Sequence, residues 1–378
     1  MRASPSSPSA TARLPRRIAL LYPLPVPGPP DPDLDLTERI RARALELGFD
    51  RCGFARAGRS RDADRFHAWL AAGRDAGLDY MRKTPERRVD PRQVIPGCRS
   101  VVVVTLNHFT PDAPPRATLP ARIARYARGR DYHRVAASML RKLKDSMEKW
   151  AGPEHDHRWY VDDGPVLERA WAVEAGIGFA GRNACTIDPE RGSWFLLAVV
   201  LTTLDLGPDL PATENCGTCT ACIPACPTGA ITAPGVVDAR RCISFWTIEH
   251  RGPIPVELRP AIGTRVFGCD DCQSVCPWNR FARATSIDDL RPRELFVDAD
   301  LAVLARLTHD AFDRRAEGSA VRRVGYAGFL RNVAIALGNS GDERARPHLG
   351  HLVASGEPMV REHAAWGLAR LDAAGAVT

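Results

Sequence analysis

The sequence predicts an α+β protein made of three consecutive parts behind a short N-terminal extension. Strand-like and helix-like segments alternate through residues 34–209. Eight of the eleven cysteines lie between residues 216 and 276, and the chain beyond residue 286 has only helical patterns. Zones of mixed and purely helical structure are typical of α+β folds. We therefore expect domains at residues 34–209, 210–285 and 286–378.

The composition limits the classes of protein that fit. The 378 residues suffice for two or three domains. The net charge of +7 is compatible with a polyanionic partner. Since no run of about 18 apolar residues occurs, we expect no membrane span. We expect a cytoplasmic protein, and a monomer. In the reducing cytoplasm, clustered cysteines indicate metal or redox chemistry more often than disulfides.

Residues 1–33 are rich in Pro, Ser, Ala and Arg, which predicts a disordered extension. Arg16 and Arg17 precede a short apolar segment, as in a twin-arginine export signal. Prolines interrupt that segment, however, and no small-residue cleavage site follows. A tail or an overlong start fits this segment better than an export signal.

Residues 34–209 combine both kinds of periodicity, which suits an α/β-type or α+β domain. The helical pattern predicts helices at residues 34–48, 66–72, 135–150 and 166–175. Apolar, β-branched runs predict strands at residues 100–106, 159–161 and 194–203, and a glycine-rich turn is expected at 176–181.

A basic segment lies inside this part of the chain. It carries Arg122, Arg125, Arg128, Arg130, Arg134, Arg141, Lys142 and Lys144 against the single acid Asp131. One interpretation is a solvated helix face. The other is a surface that contacts the phosphates of a nucleic acid.

The cysteine spacing predicts two 4Fe–4S clusters. The first run, Cys-x2-Cys-x2-Cys-x3-Cys-Pro, is that of bacterial two-cluster ferredoxins, in which the fourth cysteine ligates the other cluster. A shorter second run supplies three more cysteines, and Cys242 between the runs completes the set. The first cluster would take Cys216, Cys219, Cys222 and Cys276, and the second Cys226, Cys242, Cys269 and Cys272.

Zinc is the alternative metal, because two CxxC-type pairs can hold it. The tight first run and the two Cys-Pro steps favour iron–sulfur clusters instead. The remaining cysteines, Cys52, Cys98 and Cys185, occur in apolar or turn contexts, where a buried free thiol is the usual explanation.

The C-terminal part repeats a helical unit. Residues 331–338 (RNVAIALG) and 361–369 (REHAAWGLA) resemble one another, and a further helix is expected at 345–353 between them. Such helix pairs are typical of HEAT-like solenoids. Two copies suggest a docking appendage.

Several motifs of the chain occur together in one known family. They are PERRV at 85–89, RYARGRDYH at 125–133, VDDGP at 161–165, AGIGFAGRN at 175–183, GSW at 192–194, RCIS at 241–244, GCDDC at 268–272 and WNR at 278–280. Together with the cysteine runs, they resemble the epoxyqueuosine reductases of tRNA queuosine biosynthesis over most of residues 34–370.

The resemblance implies a cobalamin-dependent enzyme that reduces the epoxide of epoxyqueuosine, at the wobble position of tRNA, to the alkene of queuosine. It implies a cobalamin-binding domain, a ferredoxin-like domain and HEAT-like repeats. Two clusters would pass electrons to cobalamin, after delivery by an external ferredoxin- or flavodoxin-like donor. Loss of the epoxide oxygen requires an acid, which the family's VDxG motif places at Asp162.

The resemblance also assigns the other site residues. Tyr126, Asp131 and His133 are expected on the substrate side, and cofactor contacts are implied for Arg88, Ala124, Asp162, Thr186, Leu197 and Ser244. Ala124 occupies the place of a cysteine that approaches the cobalt in some members, so no thiol is assigned to the reaction. No protein histidine is expected on cobalt, because the Asp-x-His-x-x-Gly signature is incomplete.

Two other functions remain open on sequence alone. A reductive dehalogenase also combines cobalamin with two clusters, but its substrate gives the helical C-terminal part no evident role. An electron-transfer protein would need neither cobalamin nor a catalytic acid, and the large part before the cysteines argues against it.

Overall fold

The computed structural model describes residues 35–112 and 114–375, so the extension predicted at 1–33 lies outside the described residues. Its helices are α1 Leu36–Glu46, α2 Ala63–Ala71, α3 Asp79–Arg82, α4 Pro85–Val89, α5 Tyr132–Ala151, α6 Glu168–Glu174, α7 Arg259–Ile262, α8 Asp271–Ser274, α9 Glu294–Val297, α10 Leu301–Leu304, α11 His309–Ala316, α12 Tyr326–Asn339, α13 Arg346–Val353 and α14 Pro358–Gly375. Its strands are β1 Arg51–Arg56, β2 Ser100–Asn107, β3 Arg122–Ile123, β4 His157–Tyr160, β5 Phe179–Ala180, β6 Thr186–Ile187, β7 Phe195–Thr202, β8 Ile231–Ala233, β9 Val236–Val237 and β10 Arg265–Phe267.

The largest sheet has four strands in the order β1-β2-β7-β4. Every pairing in it is antiparallel. The α+β class predicted from the sequence is therefore right, and the α/β type predicted for residues 34–209 is wrong. The apolar runs did not reveal strand direction, because any sheet that is covered on both faces produces them.

Helices cover both faces of this sheet. Val102 and Val200 face α1 and α5, where the largest fully buried side chains include Leu140 and Met147. Val101 and Val199 face the opposite side and pack with Trp171 of α6. Alternate residues of β2 and β7 thus belong to two separate apolar cores, as the period of a strand requires.

The cysteine-rich segment has little regular structure and is tied to its neighbours by short pairings. Strand β10 pairs in parallel with β3, which lies far earlier in the chain. Strands β8 and β9 form a small antiparallel hairpin. A single π-helical turn, Phe245–Glu249, follows Ser244. These contacts fix the segment against the first part of the chain.

The C-terminal helices pack around α12, which is buried on nearly all sides. Arg331 of this helix is 0% exposed, and its guanidinium donates to the carbonyl oxygens of His250 (2.9 Å), Gly252 (2.6 Å) and Trp246 (2.8 Å). The neighbouring Asn332 donates to the carbonyl oxygens of Thr247 (2.9 Å) and Val266 (2.8 Å). Among the described residues, no helix is long and apolar enough to cross a membrane.

We predict that Arg331→Met lowers the free energy of unfolding by at least ~3 kcal/mol, because three partly buried carbonyls lose their donors at about 1–3 kcal/mol each. Thermal unfolding followed by circular dichroism measures the loss. The control is Arg370→Met, at an exposed position of α14, which should change stability by less than about 0.5 kcal/mol. Equal unfolding midpoints for the two variants would contradict a stabilising role for Arg331.

Candidate functional site

A cavity of about 1320 Å³ lies where the three parts of the chain meet. The first part contributes the loop after β4 and the start of α6. The cysteine-rich segment contributes Ser244 and its neighbours, and the chain before α12 contributes residues 318–320, 322 and 323. Pockets for drug-sized ligands usually have about 300–1,000 Å³. This cavity therefore has room for a larger group.

The cavity brings together most of the residues that the sequence singled out. Its walls include Arg88, Tyr126, Asp131, His133, Asp162, Thr186, Leu197 and Ser244. Ala124 is placed differently. It is 4% exposed, its backbone N–H donates to the carbonyl oxygen of Phe267 (2.8 Å), and it lies behind the wall against Gly268. The contact predicted for Ala124 stays a prediction.

Asp162 projects from a strained bend directly after β4. Its φ of 58° is in the left-handed region, which is costly for residues other than glycine but tolerated by aspartate. The side chain is exposed to the cavity and accepts a hydrogen bond from the Tyr132 hydroxyl at 2.7 Å. The neighbouring Asp163 also lines the cavity, and its carboxylate accepts from the Val161 N–H at 2.9 Å. Only the first of the two carboxylates is thus held by a side-chain donor.

Tyr132 is a site residue that the sequence reasoning missed. It begins α5, where Asp131 caps the helix by accepting from the His133 N–H. Its ring stacks on His133 at 4.0 Å and meets Tyr126 edge-on at 5.9 Å. Burial and the nearby charge of Asp162 raise the pKa of both tyrosines above the ordinary value. Both hydroxyls therefore keep their protons, and that of Tyr132 donates to Asp162.

The side chains of Asp131 and His133 form a second pair on the same wall. The imidazole Nδ1 and the carboxylate of Asp131 are 2.7 Å apart. Burial by itself would raise the pKa of Asp131, but hydrogen bonds from His133 bring it below the ordinary value. Asp131 is thus a charged anchor for the imidazole and the helix start at once.

Arg88 and Glu168 lie across the loop that carries Asp162. Arg88 is 8% exposed, and its guanidinium donates to the carbonyl oxygens of Gly164 (3.1 Å) and Tyr80 (3.0 Å). Glu168 starts α6, and its Oε1 is buried without a hydrogen-bond partner among the described residues. Burial, with a smaller effect of Asp162, raises the pKa of Glu168 to about 8. The site therefore holds a carboxyl group that keeps its proton at neutral pH.

Two further buried polar atoms of the cavity wall lack partners among the described residues. They are the hydroxyl of Thr186 and the Nδ1 of His108. Buried polar atoms are almost always hydrogen-bonded in folded proteins. Together with Glu168, they indicate that the cavity is built for a ligand with polar groups along its edge.

The eight clustered cysteines fall into two spatial groups. The Cys222 thiol is influenced by Cys216, Cys219 and Cys276, and the Cys272 thiol by Cys185, Cys242 and Cys269. Cys226 in turn lies near Cys242. Backbone N–H groups of Arg182 and Ala230 point at Cys216 (3.4 Å) and Cys226 (3.2 Å). Hydrogen bonds of this kind favour thiolate sulfur.

Only one of these groups reaches the cavity. Its walls include Cys226, Cys242, Cys269 and Cys272, with Cys185 beside them. Within residues 35–112 and 114–375, no three Cys, His, Asp or Glu side chains converge on a single metal ion. The ligands of a 4Fe–4S cluster bind separate iron atoms, so their sulfurs need not converge in that way.

Two known sequence families match the chain. Residues 215–279 match a 4Fe–4S double cluster binding domain, which supports two iron–sulfur clusters in this segment. Residues 88–163 match the family described as epoxyqueuosine reductase QueG, DUF1730. The second match includes Arg88, Tyr132 and Asp162.

Whole-chain comparisons extend these matches. The chain is 43% identical to the epoxyqueuosine reductase of Xanthomonas campestris, over 88% of this chain and 95% of the relative. It is 41% identical to that of Vibrio cholerae, over 87% and 90%. A crystal structure of an epoxyqueuosine reductase with an epoxyqueuosine-modified tRNA stem loop superposes with a TM-score of 0.83 at 32% identity, covering 89% of this chain and 90% of that one. The resemblance seen in the sequence is confirmed: the chain belongs to the epoxyqueuosine reductase family and is an oxidoreductase.

Proposed function

We propose that this protein reduces the epoxide of epoxyqueuosine in tRNA to the alkene of queuosine, with cobalamin in the central cavity and electrons from two 4Fe–4S clusters. The observation that carries the proposal is the Tyr132–Asp162 pair, which faces a cavity of about 1320 Å³ beside the cysteines. The relatives named above are epoxyqueuosine reductases, and one was solved with a modified tRNA stem loop. The cytoplasmic location and monomeric state stay predictions.

The cavity fits cobalamin in size and in the chemistry of its wall. Cobalamin has an apolar ring edged with amide groups, and the wall offers apolar surface with the unpartnered hydroxyl of Thr186. Arg88, Thr186, Leu197 and Ser244 would hold it. When bound, cobalamin supplies electrons at low potential to the substrate.

Asp162 is the proton donor in this proposal. Conversion of an epoxide to an alkene and water consumes two electrons and two protons, and the oxygen leaves poorly unless it is protonated. The Tyr132 hydroxyl fixes the orientation of the Asp162 carboxyl group at 2.7 Å. Tyr126, Asp131 and His133 form the neighbouring wall, where the modified base would be oriented.

The cluster ligands follow from the two cysteine groups. We assign Cys216, Cys219, Cys222 and Cys276 to cluster one, and Cys226, Cys242, Cys269 and Cys272 to cluster two. Because the second group lines the cavity, Cys226, Cys242, Cys269 and Cys272 would hold the cluster nearer the cofactor, and that cluster would supply it with electrons. The other four cysteines would hold the cluster that an external donor reduces.

The three-part division at 34–209, 210–285 and 286–378 accounts for this arrangement. The first part would be the cobalamin and substrate domain, the second the ferredoxin-like domain, and the third a HEAT-like unit. Helices α12, α13 and α14 pack on one another, as the successive helices of such a unit would.

We expect Asp162→Asn to reduce conversion of epoxyqueuosine at least ~10²-fold, because the amide has no acidic proton to give. The assay is anaerobic: the clusters are reconstituted, cobalamin, reductant and modified tRNA are added, and the nucleosides are followed by mass spectrometry. The control is Asp163→Asn, whose amide oxygen can still accept from the Val161 N–H.

Each other outcome of that assay favours a different function. Equal rates of conversion for Asp162→Asn and wild type would exclude Asp162 as the proton donor. Binding of clusters and cobalamin without conversion would favour another cobalamin reductase, such as a dehalogenase. Failure to bind cobalamin would favour an electron-transfer protein.

The fourth ligand of cluster two is open to a direct test. Cys242→Ala should lower the iron content from about eight to about four or seven atoms per chain, depending on whether cluster two is lost or keeps three irons. Cys185→Ala, a matched change beside Cys272, should retain both clusters. The opposite pattern would identify Cys185 as the ligand in place of Cys242.

The basic segment is largely neutralised within the fold. Arg122, Arg125, Arg128, Arg130 and Lys144 form ion pairs with carboxylates. None of the ion pairs among the described residues involves Arg134, Arg141 or Lys142 on α5. Arg134 is exposed at the cavity rim near Gly318, so it is the member of this segment best placed to contact tRNA.

Arg134→Glu should weaken binding of modified tRNA and lower the salt slope of log Kd by about one or two, because one phosphate contact is lost and a repulsion is added. Filter binding at several salt concentrations measures both quantities. Arg141→Glu makes the same charge change two turns further along α5, away from the cavity. If Arg134→Glu bound modified tRNA as tightly as wild type, the basic segment would be interpreted as a solvated helix face and not as a phosphate-binding surface.

A further inference from the structure

One surface of the cysteine-rich segment faces away from the cavity, toward solvent. It surrounds Cys276, the ligand that the second cysteine run gives to cluster one. Val275 and Phe281 on either side of it are 42% and 39% exposed. Cys216 of the same cluster lies under the loop of Arg182, whose guanidinium donates to the carbonyl oxygen of Gly217 at 2.8 Å. Cluster one is therefore close to solvent on this side.

The charges of this surface are positive. Arg280 and Arg283 are exposed, and Arg280 lies over the ring of Phe281 at 4.5 Å. The ion pairs among the described residues involve neither of these arginines. Two acids of the same segment are occupied, since Asp270 pairs with Arg125 and Asp271 with Arg122 and Arg265, whereas Glu214 and Glu257 are exposed and form no ion pair among the described residues. Glu214 is the exposed acid nearest in sequence to Cys216.

We propose that Arg182, Val275, Arg280, Phe281 and Arg283 form the docking surface for an acidic electron-carrier protein that reduces cluster one. We call these five residues the donor patch. The proposal rests on the cluster assignment of the proposed function. Beyond the proposed function, it identifies the surface at which electrons enter the protein and the sign of the charge on the carrier.

The composition of the donor patch suits a brief redox encounter. Exposed arginines accelerate association with an acidic partner by electrostatic steering. The two exposed apolar side chains, Val275 and Phe281, would give a small dry contact, as in the small interfaces of redox complexes. In each encounter one electron passes, so that the carrier is oxidised by one electron and cluster one is reduced by one. No bond or proton changes place.

The test follows cluster reduction directly and needs neither tRNA nor cobalamin. The full chain with reconstituted clusters is mixed anaerobically with reduced flavodoxin, an acidic carrier, and bleaching of the cluster absorbance is recorded by stopped flow. The double variant Arg280→Glu/Arg283→Glu should be reduced at least ~10-fold more slowly at low salt. The difference should shrink as salt is raised, because screening removes steering.

Two controls separate docking from damage to the cluster. An uncharged photoreductant should reduce wild type and the double variant at equal rates. Arg314→Glu/Arg315→Glu reverses two exposed neighbouring arginines on α11 and should leave reduction by flavodoxin unchanged. Phe281→Ala should slow that reduction at every salt concentration, since its contribution is apolar.

Equal rates of reduction by flavodoxin for wild type, Arg280→Glu/Arg283→Glu and Phe281→Ala would overturn the proposal. Equal slowing by the α11 control would also overturn it, because net charge alone would then explain the effect. This outcome is independent of the reaction on tRNA. A chain that fails to convert epoxyqueuosine but needs the donor patch for cluster reduction would retain this inference and lose the proposed function.

Discussion

The buried side chains of Arg331 and Asn332 are the constraint on which the arrangement of the three parts depends. Their donors take up five backbone carbonyls, at residues 246, 247, 250, 252 and 266. Burial lowers the pKa of Arg331 to about 10, so the guanidinium stays charged at neutral pH. A buried charge is tolerated only when its hydrogen bonds are complete. The C-terminal helices can therefore dock in essentially one position against the π-helical turn and β10.

This docking position determines the cavity. The turn that Arg331 and Asn332 hold follows Ser244 directly, and β10 leads into Cys269 and Cys272. Strand β10 also pairs with β3, which precedes Tyr126 and α5. This backbone pairing thus places the cysteines of one group and the tyrosines beside Asp162 on the walls of the same cavity. The hydrogen bonds of Arg331 and Asn332 therefore align the cysteines proposed to deliver electrons with Asp162, which is proposed to deliver the proton.

Much of the fold could be read from the sequence because its signals are local. Apolar runs gave β2 and β7, and the helical period gave α1 and most of α5 and α12. Strand β1 was missed because Arg51, Gly53 and Arg56 break its apolar run. In the folded chain, pairing with β2 stabilises the strand despite these three residues. The same limit applied to the site. The motif identified Asp162, but its hydrogen bond with Tyr132 joins residues 30 positions apart and could not be predicted from the sequence. Contacts of that kind, like the pairing of β3 with β10, exist only after the chain has folded.

The proton held by Glu168 has a consequence for the whole molecule. In the unfolded chain this carboxyl group has its ordinary pKa near 4.5, whereas in the fold it is about 8. Between these values the folded chain binds a proton that the unfolded chain has released. Folding is therefore favoured less and less as the pH rises from 4.5 toward 8, and the full penalty applies above that range. The charges of Asp162, Arg88 and Arg169 around Glu168 adjust this window. The contribution of Glu168 to stability is thus larger under mildly acidic conditions than under alkaline ones.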